Sequence, residues 1–129
     1  MIAAPLRIYS YAKCGTCRKA LQWLALQGFS VETGNLIVVD ITLSPPSSAE
    51  LQTAWQSLGR KRLFNTSGQS YRALGAATVA EMSDQQALEA LAADGRLIKR
   101  PFLITPSGTA LVGFKPQEWE AAGLCEAAG

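Results

Sequence analysis

Between Pro5 and Leu43 the chain carries a pattern that excludes most folds: a short strand, one helix and a second strand. "LRIYSY" (Leu6 to Tyr11) is β-branched and aromatic and follows Pro5, so it reads as a strand. From Thr16 to Gln27 the period becomes helical. Ala20, Leu21, Trp23 and Leu24 fall at helical spacings, and Gly28 is a natural stop. "NLIVVDITL" (Asn35 to Leu43) is a second strand, whose near-continuous apolar run predicts burial on both faces, as in a parallel pair. Two parallel strands joined by one helix form a βαβ crossover, which is right-handed.

The remainder extends that unit. "SPPSSAEL" is a turn entering a helix from about Ala49 to Leu58, with Ser47 or Ser48 as cap and Gly59 as stop. "RKRLFNTSGQSYRALGAA" (Arg60 to Ala77) is rich in turn residues and predicts a connection with one or two short helical turns. "SDQQALEALAADG" is a helix capped by Ser83, with Leu88 and Leu91 on its apolar face and Gly95 at its end. "FLIT" and "TALVGF", joined by "PSG", make a β-hairpin, and Pro116 opens a last helix, "PQEWEAAG". The order β-α-β, helices, β-β-α predicts an α/β fold. A mixed four-stranded sheet is flanked by helices, with a helical region inserted between its halves, which is the thioredoxin-like arrangement.

The chain has 129 residues, 48% of them hydrophobic and 17% charged. That suits a single packed domain over residues 1–129 and excludes disorder. A formal charge of +2 with no block of like charges disfavours direct nucleic-acid binding. No apolar run approaches the ~20 residues of a membrane helix, and the start "MIAAPLRIYSY" lacks a basic n-region followed by a long apolar stretch. A cytoplasmic monomer without membrane association is the expectation. Histidine is absent, which removes the usual general base, the commonest metal ligand and any Cys-His nucleophile.

"YAKCGTCRKAL" (Tyr11 to Leu21) places Cys14 and Cys17 where a strand ends and a helix begins. Helix-terminal N–H groups and the macrodipole stabilise a thiolate there, and Lys13, Arg18 and Lys19 add positive charge. In such a motif the first Cys is the nucleophile and the second resolves the mixed disulfide, so Cys14 and Cys17 take those roles. Gly15 permits a tight entry and close approach of a partner backbone, and Thr16 opens the helix. Three other readings stay open. A zinc site lacks a second ligand pair, although Cys125 could be a third ligand; a structural disulfide and a pair of inert core thiols are the others.

"IKRPFLIT" is the second constellation. Arg100 would point near Cys14 and bind an anion, a substrate carboxylate or the thiolate; equally, it is a surface Arg before a strand-initiating Pro101. Asn65, Thr66 and Ser70 either line the same pocket or supply turn chemistry. Tyr71, Trp23, Trp55 and Trp119 read as core or core-edge aromatics, and Cys125 as a free tail thiol open to a glutathione-capped or intermolecular role.

Taken together, "YAKCGTCRKALQWL", "LFNTSGQSYRALG", "LIKRP" and "VGF" resemble the arsenate reductase / Spx / YffB-like family, in order and across essentially the whole chain. The resemblance implies a thioredoxin-like core, a cis peptide before Pro101 and a redox Cys at Cys14. It implies a small thiol–disulfide oxidoreductase that needs no metal or organic cofactor, with glutathione as co-substrate or a thiol/disulfide protein as partner. Lys13, Gly15, Thr16, Arg18, Asn65 and Pro101 are then substrate-binding positions beside Cys14, Cys17 and Arg100. The Cys pair also looks like that of Spx, which implies an alternative: a redox-sensing regulator that binds the RNA polymerase α subunit. Arsenate reduction is the third implication, with departures. Cys17 stands where those enzymes have Ser, and Asn65 and Gly113 stand where two of three oxyanion-binding arginines are expected. Arg100 keeps the third place, and Arg18 or Arg72 would have to replace the missing charge.

Overall fold

A computed structural model describes residues 5–124. Strand β1 (Leu6–Ser10) is followed by α1 (Gly15–Leu26), β2 (Leu36–Asp40) and α2 (Ser48–Leu58). Three short helices come next: α3 (Arg60–Leu63), α4 (Gln69–Leu74) and α5 (Ala76–Glu81). Helix α6 (Asp84–Ala93) and a 3₁₀ turn (Gly95–Leu97) lead into β3 (Phe102–Ile104), β4 (Ala110–Val112) and α7 (Pro116–Trp119). After α7 the helix widens over Glu120–Leu124, and Gly123, at φ 90°, turns the chain out of it. No helix among the described residues is long and apolar enough to cross a membrane.

The four strands form one mixed sheet in the order β2-β1-β3-β4. β1 pairs parallel to β2 and antiparallel to β3, and β3 pairs antiparallel to β4. Side chains alternate across the pleat, so the sheet feeds two cores. Ile8, Leu103 and Leu111 point to one face, where they pack with Ala20 and Leu24 of α1 and with Trp119. Tyr9, Phe102, Ala110 and Val112 point to the other, against Leu51, Val79, Ala87 and Leu91 from the helices. This is the thioredoxin-like arrangement, with α3 to α6 packed over the second face.

Two expectations change. β2 is an edge strand, and Ile37 and Val38 are 37% and 41% exposed, so its apolar run is not buried on both faces. Only β1 flanks it, and only Leu36 along it is fully buried. The connection after α2 holds three short helices, because Gly59 and Gly75, at φ 84° and 89°, turn the chain between them. α2 and α6 each begin with a capping box, Ser47 with Glu50 and Ser83 with Gln86, which satisfies orphan N–H groups at both starts. Gly95 sits so close to the Ile41 carbonyl that any Cβ there would collide with it.

Candidate thiol site

The site is built at the junction of β1 and α1. The Cys14 amide donates to the Tyr11 carbonyl at 3.0 Å, closing the turn that ends the strand. Cys14 then has extended geometry and is the N-cap of α1. Its sulfur accepts the Cys17 backbone N–H at 3.3 Å, a role that a Ser or Asp oxygen fills elsewhere. Three residues on, Cys17 lies on the stripe of α1 that carries Ala20 and Leu24, the stripe facing the sheet. Spacing alone therefore separates the two thiols: Cys14 is half-buried at the helix mouth and Cys17 is 1% exposed.

Arg100 approaches from the loop before β3. Its guanidinium lies over the Tyr11 ring, 4.9 Å from the centroid, and its positive charge favours the Cys14 thiolate. The Arg100–Pro101 peptide bond is cis, and the buried Pro101 accepts the Gly113 N–H through its carbonyl at 3.0 Å. Burial works to raise the Cys14 pKa, but the Cys17 thiol and amide and the Arg100 charge outweigh it, so the thiol is held below its ordinary value. The Cys17 thiol is pushed up to about 12, first by burial and then by the neighbouring Cys14 sulfur. One thiol is poised to ionise and the other to stay protonated.

The other sequence-derived positions divide. Lys13, Gly15, Thr16 and Arg18 are exposed around the helix mouth. Gly15 does not have a positive φ, and a Cβ there would meet only Arg18 Nη2 at 3.9 Å, so the entry itself does not require glycine. The space beside it remains open to a partner. Asn65 is buried and serves the turn: its N–H donates to Leu97, its carbonyl accepts from Gly68, and Ser67 donates to its side-chain oxygen at 3.3 Å. It also lines a cavity of about 270 Å³ with Tyr11, Ser70, Arg96 and Arg100, so turn and pocket roles coexist.

On the other side of Arg100 lies a cleft of about 420 Å³ that runs from Thr16 to Gly113. Its cations are Lys61, Arg62, Lys99, Arg100 and Lys115, and among the described residues no acidic side chain lines it. Neither Arg18 nor Arg72 reaches either cavity; beside Arg100, Lys61, Arg62, Lys99 and Lys115 supply positive charge in the cleft and Arg96 in the smaller cavity. Sequence reasoning missed Lys61, Lys99 and Lys115. The signal was "RKR" at residues 60–62 and "KR" at 99–100, which are short, dispersed and brought together only by the fold. Among the described residues no three Cys, Asp or Glu side chains gather as metal ligands. Cys125 lies outside the described residues.

The ArsC family's sequence model matches residues 9–122, which takes in the Cys pair, Asn65, Arg100 and Gly113. The chain is 42% identical over 118 residues to the uncharacterised protein YusI of Bacillus subtilis, spanning 89% of this chain and 95% of that one. It is 31% identical over 106 residues to an arsenate reductase of Rhizobium meliloti, spanning 81% of this chain and 71% of that one. Among solved structures it is similar to a possible arsenate reductase from Streptococcus mutans. The TM-score is 0.77 at 35% identity, over 92% of this chain and 99% of that one. An ArsC-family-related protein from Bacteroides fragilis superposes with a TM-score of 0.79 at 32% identity, over 94% and 99% of the two chains. With a family match across the sheet, the inserted helices and the thiol site, the chain belongs to the ArsC family.

Proposed function

We propose that the protein is a thiol–disulfide oxidoreductase whose working centre is the pair Cys14–Cys17. The observation that carries this is the asymmetry of the pair. Cys14 caps α1 beside Arg100 with its pKa lowered, and the buried Cys17 stays protonated. The Cys14 thiolate attacks one sulfur of a substrate disulfide. That S–S bond breaks, a Cys14 mixed disulfide forms, and the displaced thiolate takes a proton from solvent. Cys17 then gives up its proton and attacks the Cys14 sulfur. The second substrate thiol leaves, and a Cys14–Cys17 disulfide remains. The substrate has gained two electrons and two protons, and the protein has lost them. A dithiol protein of the thioredoxin type, or two molecules of glutathione, returns them. Arg100 holds the Cys14 thiolate and the leaving sulfur while charge moves between them.

In an assay with a mixed glutathione disulfide and a thiol reductant, wild type turns the substrate over and Cys14→Ser does not. With the reductant left out, Cys17→Ser stops as the Cys14 mixed disulfide, visible by intact mass, while wild type goes on to the Cys14–Cys17 disulfide. Equal rates for wild type and Cys14→Ser remove this reading. A second reading, arsenate reduction, draws on the cation-lined cleft beside Cys14 and on the relatives named for that activity. Arsenate-dependent thiol consumption, lost in Cys14→Ser, would establish it. The regulator reading uses the same redox pair, and co-purification with the RNA polymerase α subunit would favour it over an enzyme.

A further inference from the structure

Five of the chain's 12 basic residues line the cleft beside the thiol site, although the net formal charge is only +2. They come from separate parts of the chain: Lys61 and Arg62 from α3, Lys99 and Arg100 from the segment before β3, and Lys115 from the start of α7. Arg62 is paired with Glu118 at 3.2 Å, and among the described residues the other four make no ion pair. Like charges gathered in one concavity repel one another and raise the local concentration of anions. Packing does not require them, since Lys61, Arg62, Lys99 and Lys115 are all exposed.

Beside this cleft is a larger, mainly apolar chamber of about 550 Å³ under the inserted helices, walled by Tyr71, Ala76, Val79 and Ala80. The two share Lys61, Phe64 and Thr66, so the basic cleft and the apolar chamber meet along one line. Thr16 and Arg100 both line the cleft; Thr16 lies in the first turn of the helix that Cys14 caps, and Arg100 lies over Tyr11, whose carbonyl accepts the Cys14 N–H, so one end of the cleft borders the thiol site.

We infer that the physiological disulfide is carried on an acidic peptide segment of a protein, with carboxylates next to the reacting cysteine and a bulky apolar side chain farther along. The inference rests on the thiol–disulfide reading above and specifies its substrate. Carboxylates at neighbouring peptide positions would meet Lys99 and Lys115 on one side and Lys61 on the other, and the apolar side chain would fill the chamber by Tyr71 and Val79. A small dianionic thiol compound would engage the basic cleft and leave that chamber unused.

Binding tests this without turnover. The probe is a labelled peptide with Ser in place of its cysteine, flanked by glutamates and followed by one tryptophan. Its counterpart has lysines for the glutamates. By fluorescence anisotropy the acidic peptide binds at least ~10-fold more tightly, and the advantage shrinks as salt rises. Lys99→Gln/Lys115→Gln, both at exposed positions, lowers that ratio. Ala80→Glu, also exposed, weakens the tryptophan peptide more than one with serine in that place. Equal affinity for both charges overturns the inference, and so does a ratio unchanged in the double variant. Oxidised glutathione that displaces the peptide at equal concentration overturns it as well, because the cleft would then serve a small anionic disulfide. A protein that reduces disulfides without charge preference fails only this inference. One that binds acidic peptides but turns over no disulfide fails the earlier reading and leaves only the acidic-peptide site standing.

Discussion

At Cys14, burial pushes the thiol pKa upward, and the Cys17 thiol, the Cys17 N–H and the Arg100 charge push it down. The second group wins because every member is aimed at one sulfur atom, and one of them carries a full charge. The expected outcome is an alkylation rate for Cys14 that reaches its plateau at lower pH than that of a free thiol. Arg100→Gln removes the charge and raises the midpoint, so alkylation at pH 7 slows several-fold. Iodoacetamide kinetics followed by peptide mass check both, and an unshifted midpoint in Arg100→Gln would show that Arg100 does not act on the thiol. Part of this was readable beforehand. A Cys at a helix start must face the helix N–H groups, and the residue three positions on must share the stripe of Ala20 and Leu24. The placement of Arg100 over Tyr11 was not readable, because it depends on how the loop before β3 crosses the end of β1.

Helix α1 and the segment from Phe114 to Trp119 cover one face of the sheet and hold the thiol-bearing helix end in place. Trp119 is fully buried and packs edge-on against Phe114 at 5.0 Å and against Trp23 at 6.1 Å. Trp119→Ala therefore costs about 3–5 kcal/mol of stability by cavity formation. Trp119→Phe costs less, because the indole N–H is buried with no partner among the described residues and its removal relieves an unsatisfied donor. Urea midpoints for the two variants test the order; a Phe variant no better than Ala would show that shape outweighs the orphan N–H. The helical periods of α1, α2 and α6 and the Ser caps of α2 and α6 are local properties, and the sequence carried them nearly to the residue. The three short helices after α2 were less legible. Each has only one or two turns, too few to display a period, and their limits depend on Gly59 and Gly75 adopting positive φ.

For the whole molecule, the buried thiol couples stability to pH. Cys17 has a folded pKa of about 12, raised from an ordinary 9.0. A raised pKa contributes stability that is fully present below 9.0 and is lost as pH climbs towards 12, since only the unfolded chain gives up its proton readily in that window. In the reduced state the stability difference between wild type and Cys17→Ala therefore narrows across that range, read from urea unfolding at successive pH values. A constant difference would mean that Cys17 ionises in place. The sequence by itself determined the strand–helix–strand unit, the hairpin that completes the sheet and the junction that carries the Cys pair, because these follow from local periodicity and from end-group chemistry. Only the tertiary structure decided that β2 lies at the edge with Ile37 and Val38 exposed, and that Lys61, Lys99 and Lys115 join Arg100 around one cleft. Strand order and the convergence of distant charges are set by how the layers pack, and short-range patterns hold no record of that.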